Sequence, residues 1–225
     1  MSAHRQNPAD LLREYSVAEL ERIAEQYHEK HKDGFTIPVD IELIIESTPG
    51  IDLDVYPRLM ANHGVMGMAG INPDGTFSIY IDDVLADNDA QQRKARMTLA
   101  EEFAHLLIHG EAIRHVKTPQ DFTLIHNHPK WPIYDRNAKR LAAALLMPAR
   151  TLIEDTGQWY ALILSKLPDH LRYSNPLAVQ KTIVSKLADK YDVSFSSMRY
   201  RLDEWPIRLL DKIEQSMCDR LSFLS

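Results

Sequence analysis

The sequence has little cysteine, no long apolar run and no excess of basic residues. Its one cysteine among 225 residues, Cys218, has no partner within the chain for a disulfide. No segment approaches the roughly 18 consecutive apolar residues of a membrane span, and residues 1–10 have no apolar signal core. The 26 Lys and Arg against 32 Asp and Glu give a net charge of −6, which lacks the basic footprint of a nucleic-acid-binding chain. We therefore expect a cytoplasmic protein with an ordinary core.

The pattern of apolar residues predicts helices around a small sheet. Ser16 and Glu19 have the spacing of a capping box at the start of an amphipathic helix. Alternating residues predict strands in "IDLDVYP" and on both sides of the Pro73-Asp74-Gly75 turn. A long helix follows from about Asp89 to His109, where Gly110 is predicted to end it, and residues 111–132 are expected to be irregular. The fold class is α+β, mainly helical, with a small three-stranded sheet.

The C-terminal third is predicted to be helical, and it contains "LADKYDVSFSSMRYRL", which has the pattern of a helix-turn-helix. Arg199 and Arg201 could contact DNA, but acidic residues surround them, so a packing or protein-docking module is favoured over a DNA reader. The final helix has an amphipathic pattern that suits a partner or dimer surface. Its apolar residues are Leu209, Leu210, Ile213, Met217 and Leu221.

The stretch "MTLAEEFAHLLIHG" at residues 97–110 carries the chemical signal. With histidine at position 101 it would contain H-E-x-x-H, in which two histidines one helical turn apart bind zinc and the glutamate acts as base. Glu101, His105 and His109 lie at i, i+4 and i+8, so they share one helix face. A carboxylate can replace an imidazole on zinc, although it favours harder ions such as manganese. From the helix alone, histidines hydrogen-bonded in a core are favoured over a metal site.

A second segment makes the pattern more specific. "RMTLAEEFAHLLIHG" together with "DRNAKRLAAALLMP" resembles the ImmA/IrrE family of bacterial and phage metallopeptidases. That family typically shows F-T-L-A-H-E-x-x-H-x-x-x-H and, later, E-x-x-A-N-x-F-A-A-x-L-L-M-P. The resemblance extends over roughly residues 17–160, and it implies a zincin-like minimal peptidase fold.

The resemblance also implies roles for individual residues. Glu102 corresponds to the family's general base and His105 to its second histidine ligand. Asp135 corresponds to the family's glutamate ligand, and its side chain is one methylene group shorter. Glu101 occupies the position of the family's first histidine ligand. The implied metal is zinc, with manganese as the alternative. His109 either orients a ligand or replaces the first one. Candidates for the donor that stabilises the oxyanion are His115, His126, His128 and Tyr134.

The sequence pattern and this resemblance together predict three segments and a regulatory function. Residues 1–15 would be flexible, 16–160 the metallopeptidase domain and 161–225 a helical region packed on it. The expected function is a metal-dependent regulatory endopeptidase that cleaves a helix-turn-helix repressor and so controls stress-response or mobile-element genes. The alternative is an inactive family member that regulates a repressor or antitoxin-type partner by binding. A weaker third option is a DNA-binding regulator.

Overall fold

The fold consists of helices packed around one small sheet, as the computed structural model shows for residues 7–32, 36–204 and 207–224. Short 3-10 helices span Pro8–Leu11 and Asp89–Gln91. The strands are β1 (Ile51–Tyr56), β2 (Gly67–Ile71) and β3 (Phe77–Asp82). The α-helices are α1 (Val17–Lys30), α2 (Ile41–Glu46), α3 (Leu59–His63), α4 (Asp83–Ala86), α5 (Gln92–Arg114), α6 (Pro119–His126), α7 (Trp131–Leu146), α8 (Ala149–Lys166), α9 (Pro176–Tyr191), α10 (Phe195–Asp203) and α11 (Leu209–Leu224). The predicted α+β fold class is confirmed.

The sheet has the order β1-β3-β2, so the apolar strand β3 is central. β1 pairs with β3 in parallel, and β2 pairs with β3 in antiparallel register through the turn that contains Gly75. Gly75 has φ +92°, a conformation that glycine adopts without steric cost. β2 is thus an outer strand of the sheet, and it packs against α5.

The long helix α5 lies at the centre of the molecule and contacts β2, β3 and α7. Small buried residues, Ala100 and Ala104 on α5 with Ala138 and Ala142 on α7, allow a close approach of the two helices. The predicted end of the helix at Gly110 is wrong, because α5 continues to Arg114. A Cβ atom at position 110 would lie 3.5 Å from the ring of Phe77, which is an ordinary van der Waals distance, so α5 packs directly on β3 at this glycine.

Part of the segment expected to be irregular is also helical, since α6 occupies Pro119–His126. Thr118 and Asp121 form a capping box at its N-terminus, and the proline stands in the first turn, where it has no hydrogen bond to break. The predicted capping box of α1, formed by Ser16 and Glu19, is present.

The N-terminal and C-terminal segments pack on the central helices. Within the segment expected to be flexible, Pro8–Leu11 form a 3-10 helix against α5 and α6; residues 1–6 lie outside the described part of the chain. Helix α8 runs without a break across the domain boundary predicted at residue 160. One continuous core extends from α1 to α11.

The final helix uses its apolar stripe inside the chain. Leu209, Leu210, Ile213 and Met217 are buried, and α11 packs on α8, α9 and α10. The side chain of Leu221 lies outside those described. The stripe that suggested a partner surface therefore contributes to the core. Among the described residues, no helix is both long and apolar enough to span a membrane.

Candidate metal centre

The central helices bring together three of the residues singled out from the sequence. Glu101 and His105 on α5 and Asp135 on α7 each offer a donor atom, and these atoms all lie within 4.8 Å of one another. His105 Nε2 is 3.9 Å from Asp135 Oδ1. Glu101 and His105 share a face because they are one turn apart on α5, and the close packing of α7 brings Asp135 to the same face.

The imidazole of His105 is held from two sides. Its Nδ1 lies 3.1 Å from Nδ1 of His109, and its ring stacks on the indole of Trp131 with 5.7 Å between ring centroids. Burial, followed by the nearby His126, lowers the pKa of His105 to about 4, so the ring is neutral at pH 7. If His105 Nδ1 carries the proton and donates to His109, the Nε2 lone pair faces Asp135 and is free for a ligand role.

His109 lies behind His105 and is buried, with 3% of the residue exposed. Burial and then His105 lower its pKa to about 3. Its Nε2 finds no hydrogen-bond partner within the described part of the chain. The contact with His105 favours the expectation that His109 orients a ligand, since the three-donor cluster contains Glu101 and omits His109.

Glu102 points from α5 toward the outer strand of the sheet. Burial is the largest cause that raises its pKa to about 8, and the charges of Glu101 and Asp135 add to this. The backbone N–H of Ala69 on β2 donates to the carboxyl and opposes the increase. Gly67 permits this approach: a Cβ atom there would be 2.9 Å from Glu102 Cγ. The carboxyl is thus fixed between α5 and β2.

Lys139, which the sequence analysis did not single out, contacts two members of the cluster. Its Nζ is 2.7 Å from Asp135 Oδ2 and 3.6 Å from Glu101 Oε1. Burial raises the pKa of Glu101, and Lys139 opposes that increase while Asp135 adds to it. The i, i+4 spacing of Asp135 and Lys139 on α7 was a signal for the first of these ion pairs. Trp131 and the backbone of Ala69 had no comparable signal in the sequence.

The candidates for an oxyanion donor lie at different distances from this cluster. Tyr134 is buried, and its ring packs 5.8 Å from that of His109 and 5.6 Å from that of His128, measured between centroids. His126 packs on the outer part of the site, 4.4 Å from the ring of Trp131. His115 caps the end of α5, where its Nδ1 is 2.9 Å from the carbonyl oxygen of Glu111. Tyr134, which packs on His109, and His126, whose charge acts on His105, are therefore the candidates beside the histidine pair.

The donor set fits a divalent cation. One neutral imidazole and two carboxylates are ligands that zinc accepts, and the two oxygen donors also suit manganese. The structure adds an orienting partner for the imidazole, which metal-binding histidines ordinarily have. The cluster thus meets both requirements with residues from two rigid helices.

The C-terminal helices do not present both arginines that suggested DNA binding. Arg199 is exposed, but Arg201 is buried with 4% of the residue exposed. The guanidinium of Arg201 donates to the carbonyl oxygen of Met147 and pairs with the carboxylate of Glu21 on α1. Arg201 thus ties α10 to the rest of the core, which agrees with the packing role favoured for these helices.

Comparisons with known proteins agree with this arrangement. No curated protein sequence matches the chain. A peptidase family model described as the IrrE N-terminal-like domain matches residues 83–203, from α4 to the end of α10. The match includes all three members of the metal cluster, Glu102 and the helix-turn-helix-like segment. Because it covers more than half of the sequence, the chain belongs to the peptidase family of the IrrE N-terminal-like domain.

Proposed function

We propose that the protein is a metal-dependent endopeptidase that regulates gene expression by cleaving a helix-turn-helix repressor. One observation carries the catalytic part: a half-buried carboxyl, Glu102, with a pKa of about 8 lies beside a cluster of three metal-donor residues. A carboxyl with a pKa near the working pH can both accept and return a proton. The family match supports the class of reaction.

Glu101, His105 and Asp135 would hold the cation, zinc first and manganese as the alternative. A bound divalent cation would polarise a peptide carbonyl and make a bound water a stronger acid. His109 Nδ1 lies 3.1 Å from His105 Nδ1, and with the proton on His105 Nδ1 the Nε2 atom would be available as a metal donor. Trp131 covers the other face of that ring and limits its rotation.

Glu102 would take the proton from the attacking water and pass it to the amine of the leaving group. The backbone hydrogen bond from Ala69 lowers the pKa of this carboxyl, which places Glu102 beside β2. Tyr134 and His126 are the nearer candidates for donating to the oxyanion.

The position of the outer strand β2 favours an extended peptide as the substrate. It is bonded to β3 on one side and lies against Glu102 through Gly67. An extended substrate segment that added to the sheet beside β2 would run past Glu102. The substrate must therefore offer an extended segment, which fits cleavage in a linker or in a locally unfolded part of a repressor.

The test is co-expression with a candidate substrate, a helix-turn-helix repressor of the same genome. Wild-type protein should cleave the repressor, and Glu102→Gln should abolish cleavage while the two proteins still co-purify. Glu111→Gln removes a carboxylate from the exposed end of the same helix and should cleave as the wild type does. Cleavage that persists in Glu102→Gln contradicts the proposed mechanism.

A second candidate function is regulation by binding alone, and Lys139 favours it. The two carboxylates of the cluster already have a cationic partner in this lysine, so the fold does not depend on a metal ion to balance them. A binding regulator would control its partner equally well as wild type or as Glu102→Gln. Repressor release without a new cleavage product, in both proteins, would support this alternative.

A further inference from the structure

Lys139 occupies a specific position in the metal cluster. It lies one helical turn after Asp135 on α7, and its ammonium group reaches across to Glu101 on α5. It therefore contacts both anionic members of the proposed ligand set, at 2.7 Å from an oxygen of Asp135 and 3.6 Å from an oxygen of Glu101. His105, the third member, faces the other oxygen of Asp135 at 3.9 Å.

We propose that Lys139 is a built-in competitor of the divalent cation: its ammonium group balances the two carboxylates without metal, and it weakens metal binding. The inference rests on the metal site of the proposed function and adds a residue that sets the metal concentration at which the site fills. Metal binding then becomes an exchange of one cation for another on the same two carboxylates.

The charges explain the competition. Glu101 and Asp135 contribute two negative charges when ionised, and a protonated lysine cancels one of them. A divalent ion that binds the free oxygen of Asp135 would lie close to a like charge, which is unfavourable. The side chain of Lys139 can instead rotate toward the solvent, since half of it is exposed, but it then loses both ion pairs.

Exposure limits the size of this effect. The side chain of Lys139 is 53% exposed, Asp135 30% and Glu101 26%, so water screens both pairs. Partly exposed pairs are individually weak, and two of them acting together should change metal affinity by about tenfold. Because the lysine acts through charge, zinc and manganese affinities should change by the same factor. A lysine that shaped the ligand geometry would affect the two ions differently, since they prefer different geometries.

The experiment measures zinc and manganese dissociation constants by competition with a chromophoric chelator, at fixed pH and ionic strength. Lys139→Gln removes the charge and keeps a side chain of similar length. Lys139→Arg keeps the charge. Lys130→Gln is the matched control, because Lys130 precedes the same helix but pairs with Glu14 instead of the cluster. Circular dichroism checks that each variant is folded, and His105→Ala reports loss of the site.

We expect Lys139→Gln to bind both ions about tenfold more tightly than the wild type, with Lys139→Arg and Lys130→Gln within about twofold of it. The added metal should also raise the melting temperature of Lys139→Gln more than that of the wild type. Dissociation constants of Lys139→Gln within twofold of the wild type, or weaker, would overturn the competitor role while leaving the metal site intact. If neither protein binds either ion in a manner that His105→Ala abolishes, both the competitor and the metal-dependent function are wrong.

Discussion

Replacing Glu102 by glutamine should change how stability depends on pH, because this carboxyl is half-buried and lies beside two others. Its pKa rises from an ordinary value of 4.5 to about 8 in the folded protein. In the unfolded chain it ionises near 4.5, so between these values the folded state binds more protons than the unfolded state. The free energy of unfolding of the wild type therefore falls as pH rises through this window. The loss is complete above about pH 8.

The magnitude follows from the two pKa values. The change from 4.5 to about 8 corresponds to about 5 kcal/mol at 1.36 kcal/mol per pKa unit. Glu102 is only partly shielded from water, and its charged neighbours are partly exposed, so we expect roughly 2–4 kcal/mol. Glutamine keeps the acceptor for the Ala69 N–H and never ionises. Relative to the wild type, Glu102→Gln should thus gain about this amount between pH 5 and pH 9.

The assay is urea denaturation of both proteins with a chelator present, at pH values from 5 to 9. Glu19→Gln is the control, because the pKa of Glu19 is shifted in the opposite direction from that of Glu102. The Glu19 carboxylate accepts hydrogen bonds from Ser16, and these lower its pKa. The stability it contributes is present above its ordinary pKa and is lost only at lower pH, so the difference between Glu19→Gln and the wild type should stay constant over the assay range. Parallel curves for Glu102→Gln and the wild type would refute the argument.

Three further variants test the structure of the site and of the core that surrounds it. Gly67→Ala would put a methyl group 2.6 Å from a threonine methyl on α5. It should therefore displace β2, lower the free energy of unfolding by about 1–3 kcal/mol in urea denaturation and abolish cleavage. In the control Gly70→Ala the added methyl group meets nothing within 4 Å, so stability and cleavage should stay unchanged. His109→Ala should weaken zinc binding about 10- to 100-fold in chelator competition, and an unchanged affinity would exclude an orienting role. Arg201→Met should cost about 3–5 kcal/mol in urea denaturation, because it removes a buried guanidinium and leaves the largely buried carboxylate of Glu21, whose side chain is 14% exposed, without its partner. Exposed Arg199→Met should stay within about 0.5 kcal/mol, and equal losses would contradict the assigned burial.

Local patterns in the sequence were sufficient for the elements that depend on neighbouring residues. The capping box at Ser16 depends on residues three positions apart, and the strands around Gly75 depend on alternation and a turn. The end of α5 depended on a distant contact instead. Glycine is a residue type that often ends helices, but Gly110 lies inside α5 and packs beside the ring of Phe77, a contact that no local pattern reveals. Tertiary packing therefore overrode the local signal at this position.

The same distinction applies to the candidate site. Glu101 and His105 were placed on one face by their helical spacing, and the position of Asp135 came from the resemblance of the second segment. The contact between Ala69 and Glu102 joins a strand to a helix, so spacing along the chain carries no signal for it. Arg201 was misjudged as available for DNA because its partner Glu21 lies 180 residues away in sequence.

The altered first position of the motif has a structural counterpart in Lys139. A carboxylate at position 101 adds one negative charge compared with an imidazole, and a second carboxylate on the ion would make a bound water less acidic. Lys139 brings one positive charge to the same place and contacts Glu101 and Asp135 together. The two departures therefore cancel in charge, which a cluster with Glu101 alone would not achieve. This balance holds in the protein without metal, so a divalent ion must displace the ammonium group of Lys139 before it can bind both carboxylates.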